Sequence, residues 1–153
     1  MRADWHEIVK KTCFDIFEQL AFMFCDELDK IDVQSSDEDF IKATMAFSGH
    51  HRGYVDIIVT RQLTPTLVYN ILGLDENDQI EGGIAEDALK ELLNTLCGRI
   101  LPALFTDVET FDLHPPEISR VSRKQWLAMR NLDTTIAFAI EDNPVLLTVH
   151  LDA

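Results

Sequence analysis

The chain has 153 residues and a formal net charge of −14, from 27 acidic and 13 basic side chains. Its 46% hydrophobic and 26% charged residues are typical of a folded globular protein and exclude a disordered one. The length suits one domain, which we place over residues 1–153. The negative charge excludes nucleic acids and anionic membranes as partners, and no apolar run reaches the roughly 18 residues of a membrane-spanning helix, so no membrane insertion is expected.

The cysteine and histidine residues do not form a recognisable metal or disulfide pattern. Cys13, Cys25 and Cys97 are an odd number of thiols in apolar helical stretches, which is typical of a reduced, cytoplasmic protein. The adjacent His50 and His51 lie in a predicted turn and lack a third ligand, so no metal site is expected. Without a Gly-rich phosphate loop, no cofactor of its own is expected either.

Apolar residues recur at helical spacing near the N-terminus, and two segments rich in β-branched and aromatic residues follow. Thr64 and Pro65 then favour the start of a helix, and Gly73 favours its end. The predicted elements are a long helix over 5–29, a polar turn at 32–39, a hairpin of strands 40–48 and 53–60, a short helix over 64–72, and an acidic surface loop at 74–83.

The second half of the chain repeats this order in outline. Its predicted elements are a second long helix over 84–105, a strand at 115–122, a basic irregular piece containing Arg120, Arg123, Lys124 and Arg130, and a second hairpin over 132–141 and 144–151.

A weak internal repeat is visible in this element order. The segment Thr44–Phe47 resembles Thr135–Phe138, and each lies in the first strand of a predicted hairpin. Segments this short also match by coincidence. The repeat favours an α+β fold of duplicated helix–β-hairpin units, in which an antiparallel sheet layer packs against two long helices.

The second long helix has two distinct faces. At roughly 100° per residue, Asp87, Glu91, Asn94 and Gly98 lie within about 60° of one another. This polar row must face solvent or a partner, because the opposite stripe is apolar. The apolar stripe contains Leu89, Leu92, Leu93, Leu96 and Ile100.

Gly98 is unusual inside a helix, where glycine costs about 1 kcal/mol relative to alanine. On the exposed side it allows the backbone of another molecule to come close. Pro102 offers a second interpretation, because its ring crowds the carbonyl group of residue 98 and Gly98 then absorbs a kink. The sequence leaves both interpretations open.

The row Asp87-x-x-x-Glu91-x-x-Asn94, followed about twenty residues later by Pro115-Pro116, resembles the signature of the CheC, CheX and FliY chemotaxis phosphatases. The proline spacing is one or two residues shorter than the family pattern. The resemblance extends over nearly the whole chain in element order. It implies a phosphatase that acts on the aspartyl phosphate of a phosphorylated CheY-like response regulator.

The resemblance also implies roles for the residues of the row. Asn94 is expected to orient the attacking water, and Glu91 to bind a lysine of the regulator. Asp87 is expected to be a supporting partner contact or a helix-start residue, without a chemical role. Gly98 is expected to contact the partner because of its exposed position, not because of the resemblance. The Mg²⁺ that such a reaction uses is expected on the regulator.

The first helix has Phe14, Glu18 and Ala21 where the second has Asp87, Glu91 and Asn94, when Glu18 is placed on Glu91. The resemblance implies that this first site is inactive, as in the CheX branch, whose members are typically homodimers. Phe14 and Phe22 flank Glu18. They either widen the core stripe or form a docking or dimer surface.

Two other functions remain open from the sequence. A non-catalytic adaptor that binds a phosphorylated receiver, or a flagellar-switch interaction module, would use Glu91 for docking alone. An acidic structural partner unrelated to phosphorylation would leave the polar row without a purpose. Without the family pattern, Glu91 and Asn94 on an exposed helix face would be read as ordinary solvated residues.

Overall fold

The structure, a computed structural model, describes residues 3–30, 35, 37–75, 77–79, 82–106 and 110–152. Within them four helices and a seven-stranded antiparallel sheet confirm the predicted α+β class. The helices are α1 (Trp5–Ala21), α2 (Thr64–Leu72), α3 (Gly82–Leu104) and α4 (Arg123–Arg130). The strands are β1 (Cys25–Glu27), β2 (Asp39–Ser48), β3 (Gly53–Thr60), β4 (Asp112–Leu113), β5 (Glu117–Ser122), β6 (Thr135–Ile140) and β7 (Asn143–Leu151).

The two hairpins, β2–β3 and β6–β7, join through their second strands at the centre of the sheet. The strand order is β1-β6-β7-β3-β2, with β4 and β5 both paired along the outer side of β2. Gly53 is required where β3 meets β7, because a Cβ there would lie 1.9 Å from the carbonyl oxygen of His150.

The duplicated units exchange their outer strands. The strand that follows α1, β1, pairs with β6, and the two strands that follow α3, β4 and β5, pair with β2. Met45 and Phe47 of the first hairpin lie in the same core as Ile136 and Phe138 of the second. The two matching segments therefore occupy equivalent faces, and each half of the chain completes the sheet of the other.

The two faces of the sheet are covered differently. Helices α1, α2 and α3 pack on one face over the main hydrophobic core. The short helix α4 packs on the other face, where the fully buried Trp126 stacks on Phe40 with ring centroids 4.9 Å apart. This second face was not anticipated by the expectation of a sheet against two long helices. Its cluster contains Phe40, Ile58, Val121, Trp126, Ala137 and Leu146.

The first helix is shorter than the predicted range 5–29. It ends at Ala21, and Phe22 adopts a left-handed conformation with φ of 53°. Apolar residues continue past this point at helical spacing, but residues 25–27 instead pair with β6 as strand β1. Tertiary pairing overrides the local pattern here, which a sequence window cannot detect.

The basic segment predicted as irregular is helix α4. Its start is fixed by a capping box, in which the Ser122 hydroxyl accepts from the Gln125 backbone N–H at 3.2 Å and the Gln125 side chain accepts from the Ser122 N–H at 2.9 Å. The prediction of an irregular piece was wrong, and the pattern Ser-x-x-Gln is the sequence signal that could have identified this helix start.

The remaining predicted helices and strands occur within three residues of their expected bounds, and β3 and α2 coincide with them. Pro102 lies inside α3, which continues to Leu104. The polar turn at 32–39 and the loop at 74–83 lie partly outside the described residues. No described helix is both long and apolar enough to cross a membrane.

Candidate functional site

Helix α3 is held in one orientation by its packed side. The residues of that side are at most 2% exposed and lie in the core over β2 and β3. A helix clamped in this way presents its other side without rotational freedom. The packed residues are Ala88, Leu89, Leu92, Leu93, Leu96, Cys97, Ile100, Leu101 and Leu104.

The predicted polar row lies on the exposed side of α3. Asp87, Glu91, Asn94 and Gly98 are all exposed, as their spacing indicated. Within the described residues, the side chains of Asp87, Glu91 and Asn94 form no hydrogen bond or ion pair. The Thr95 hydroxyl donates a hydrogen bond to the Glu91 carbonyl oxygen at 3.0 Å, which leaves the Glu91 carboxylate uninvolved. A carboxylate and a neutral amide thus lie one turn apart with their polar atoms available to another molecule.

The proline pair of the motif lies between β4 and β5, the two short strands that pair with the outer side of β2. Leu113 lies opposite Phe47, whereas Glu117 lies opposite Thr44, so the stretch containing Pro115 and Pro116 has one residue more than its partner. The extra residue makes this a β-bulge, and the two prolines suit it because they have no N–H to donate to a strand partner. The bulge separates β4 from β5 and sets the position of Leu113.

The equivalent positions of α1 do not form a second site. Glu18 is exposed, but Phe14 is half-buried with its ring 5.5 Å from that of Phe138, edge to face. Ala21 is 0% exposed. Phe14 therefore widens the core stripe, which was the first of the two interpretations. Phe22 is 75% exposed and lies outside the core.

The cysteine thiols are not nucleophiles at these positions. Burial raises the pKa of Cys97 and of Cys25 to about 12, and it also raises the pKa of Cys13. All three thiols are unpaired. Thiols with a raised pKa are largely protonated near neutral pH and are poor nucleophiles. Across the described ranges, no three His, Cys, Asp or Glu side chains cluster in a way that would hold a metal ion.

One buried carboxyl group lies outside the row. Asp56 of β3 is 2% exposed, and its carboxylate accepts a 2.5 Å hydrogen bond from the Thr44 hydroxyl across the β2–β3 pair. Burial raises the pKa of Asp56, against the opposing effects of Thr44, Lys42 and His150. Its neighbours in β3, Val55 and Ile57, face the core under α1, α2 and α3. Asp56 therefore lies on the opposite side of the sheet, the side that α4 covers.

The family model for the chemotaxis phosphatase CheX matches residues 41–128, which include the whole of α3 and the proline pair. This chain belongs to the CheX family. The match confirms the resemblance that the row of Asp87, Glu91 and Asn94 indicated. No curated protein sequence matches the chain.

Solved structures of chemotaxis proteins have the same fold. A CheX from Vibrio vulnificus is 16% identical and superposes with a TM-score of 0.72 over 99% of both chains. A putative chemotaxis protein from Desulfovibrio vulgaris Hildenborough is 14% identical, with a TM-score of 0.72 over 97% of both chains. The CheX of a CheX–CheY–BeF₃–Mg²⁺ complex from Borrelia burgdorferi is 13% identical, with a TM-score of 0.68 over 99% of this chain and 100% of that one.

Proposed function

We propose that this protein accelerates hydrolysis of the aspartyl phosphate of a CheY-like response regulator. Membership of the CheX family supports the activity, and the Borrelia burgdorferi complex contains a CheX together with CheY, BeF₃ and Mg²⁺. The Mg²⁺ of the reaction belongs to the regulator in this proposal. The three unpaired thiols suit a reducing compartment, so we place the reaction in the cytoplasm.

The observation that carries the proposal is the setting of Asn94. Its side chain is exposed and makes no hydrogen bond within the described part of the chain, although the helix beneath it is packed into the core. A polar group on a rigid helix, free of internal partners, can enter another protein's site without losing interactions of its own.

Phosphoryl transfer requires positioning and electrostatic stabilisation more than covalent chemistry from the protein. The Asn94 amide offers both a donor and an acceptor to one water molecule and does not repel the phosphate, as a carboxylate would. The water oxygen attacks phosphorus as the bond to the aspartyl oxygen breaks. The products are inorganic phosphate and a free carboxylate on the regulator.

Glu91 sets the register of the complex in this mechanism. Its carboxylate lies one turn from Asn94 and forms a charge-assisted hydrogen bond with a lysine of the regulator. Asp87, one further turn towards the helix start, provides a peripheral contact.

We also propose a homodimer. Phe22 and Phe24 are 75% and 73% exposed, and they lie next to β1, which is an edge strand of the sheet. Two neighbouring exposed aromatic side chains beside an unpaired strand edge are typical of an association surface. Phe14 does not contribute, because it packs in the core.

The test is phosphate release from a Mg²⁺-loaded, phosphorylated receiver domain. Asn94→Ala should reduce the accelerated rate of phosphate release on the order of 100-fold, since it removes the group that positions the water. Its Kd for the receiver should change little. Gln19→Ala removes an exposed amide from α1 and is the matched control, which should keep wild-type rates.

Unchanged turnover in Asn94→Ala contradicts the mechanism. A wild-type protein that binds the phosphorylated receiver without accelerating its hydrolysis contradicts the phosphatase and supports the adaptor.

A further inference from the structure

A small apolar cleft lies beside the polar row, between the second half of α3 and the edge strand β4. It has a volume of about 130 Å³ and opens at the surface. One wall is formed by helix residues and the other by the segment that leads into β4. Its lining residues are Cys97, Gly98, Leu101, Pro102, Phe111 and Leu113.

The walls of the cleft are held in place by the core. Cys97 and Leu101 are at most 1% exposed and form its floor. The ring of Phe111 lies 5.8 Å from that of Phe47 and 5.7 Å from that of Phe105. Leu113 pairs opposite Phe47 and is 36% exposed. The cleft is therefore a preformed recess with the exposed side chains of Leu113 and Pro102 at its rim.

Gly98 belongs both to the cleft and to the polar row. A Cβ added at this residue would meet nothing within 4 Å, so the fold of the chain does not demand glycine for space. Its backbone is not in the left-handed region that would require glycine. Pro102 crowds the carbonyl group of residue 98, not the open position of the missing Cβ. Glycine here weakens the helix and leaves bare backbone facing outward, one turn from Asn94.

We propose that this cleft is the apolar half of the receiver-docking surface. It takes one aliphatic or aromatic side chain of the phosphorylated receiver, whose backbone passes over Gly98. The inference rests on the proposed function. An apolar cavity of about 150 Å³ accommodates a benzene-sized group, so a cleft of this volume suits one side chain.

The energetics of the polar row require such an anchor. Exposed ion pairs contribute little to binding, and most binding energy comes from a few apolar or aromatic side chains that fill pockets near the centre of an interface. The cleft lies one helical turn from Asn94. Because Gly98 lines the cleft and shares the exposed side of α3 with Asn94, a receiver that Asn94 reaches also lies over the cleft.

The experiment measures Kd for the phosphorylated receiver, together with KM and kcat for phosphate release. Leu113→Ser removes the rim of the cleft and should raise Kd and KM about tenfold with kcat within about twofold of wild type. Leu132→Ser makes the same change at a leucine of similar exposure, 43%, outside the cleft, and should leave all three unchanged.

Gly98→Ala is the second variant. It should keep or raise the thermal stability of the protein, because alanine is the better helix former and its Cβ meets open space. It should nevertheless raise Kd about threefold, because the added methyl group separates the two backbones. A variant that stabilises the fold and weakens binding distinguishes docking from structural damage.

Wild-type Kd and KM in both Leu113→Ser and Gly98→Ala would overturn the inference, as would a fall in kcat at unchanged KM. A change in the mass of Leu113→Ser in solution would assign the cleft to a second copy and also overturn it. The phosphatase proposal fails separately, if the wild-type protein does not accelerate phosphate release. In that case the Kd values still decide whether the receiver occupies the cleft.

Discussion

The two long helices of this protein share a packing arrangement and differ in what they expose. α3 has 23 residues and places Asn94 near its middle, on the side away from the core. α1 has 17 residues and ends at Ala21, the position that matches Asn94, which is 0% exposed. Both helices keep an exposed glutamate, Glu91 and Glu18.

The difference shows that the first helix lacks more than two side chains. A side chain at position 21 points into the core, because the chain leaves the helix there and turns at Phe22 towards β1. Phe14, which matches Asp87, packs against Phe138, whereas Asp87 of α3 is exposed. Chemistry on α1 would therefore require a longer helix as well as different residues.

The largest effect is expected when an amide is placed on α1, which tests whether α1 differs from α3 in geometry as well as in residue identity. Ala21→Asn should destabilise the protein by about 2 to 4 kcal/mol, since it overfills the core and buries an amide without partners. Asn94→Ala, the reverse change on α3, should alter stability by about 0.5 kcal/mol or less. Chemical denaturation of both variants measures the two values.

The double variant Ala21→Asn, Asn94→Ala tests the same point by activity. It should release phosphate no faster than Asn94→Ala alone. Recovery of activity in a folded double variant would show that α1 is competent as a site and that only the residue identity was missing.

A smaller effect is expected when the two glutamates are compared. Glu91→Gln should raise KM for the phosphorylated receiver about threefold, because the lysine of the regulator then bonds to a neutral amide oxygen instead of a carboxylate. Glu18→Gln should leave KM and kcat unchanged. Equal effects of the two substitutions would mean that the receiver contacts both helices.

The smallest effect on the folded monomer is expected at the end of α1. Phe22→Ser with Phe24→Ser should change the stability of the monomer by about 0.5 kcal/mol or less, because both rings are exposed. The variant should nevertheless sediment as a monomer while the wild type sediments as a dimer. Leu72→Ser, at a leucine that is 37% exposed, is the control. A wild-type monomer, or a dimer that survives the double change, would remove the assembly role of this surface.

The polar row was predictable because helical periodicity is local. Leu89, Leu92 and Leu96 mark the packed side within a few turns, and the direction of Asn94 follows from them. The hairpins were predictable for the same reason, since each pairs neighbouring segments across a short turn. The start of helix α4 was also predictable from the sequence, because its capping box involves only the four consecutive residues from Ser122 to Gln125.

The end of α1 and the cleft were beyond such patterns. Cys25 pairs with Ile140, and Leu113 with Phe47, across long stretches of chain. Hydrogen bonds between distant strands cost loop-closure entropy and depend on every element between them, so no short window of residues encodes them. Local spacing thus decided which side chains α3 turns outward, whereas long-range strand pairing decided where α1 stops and what lies beside Gly98.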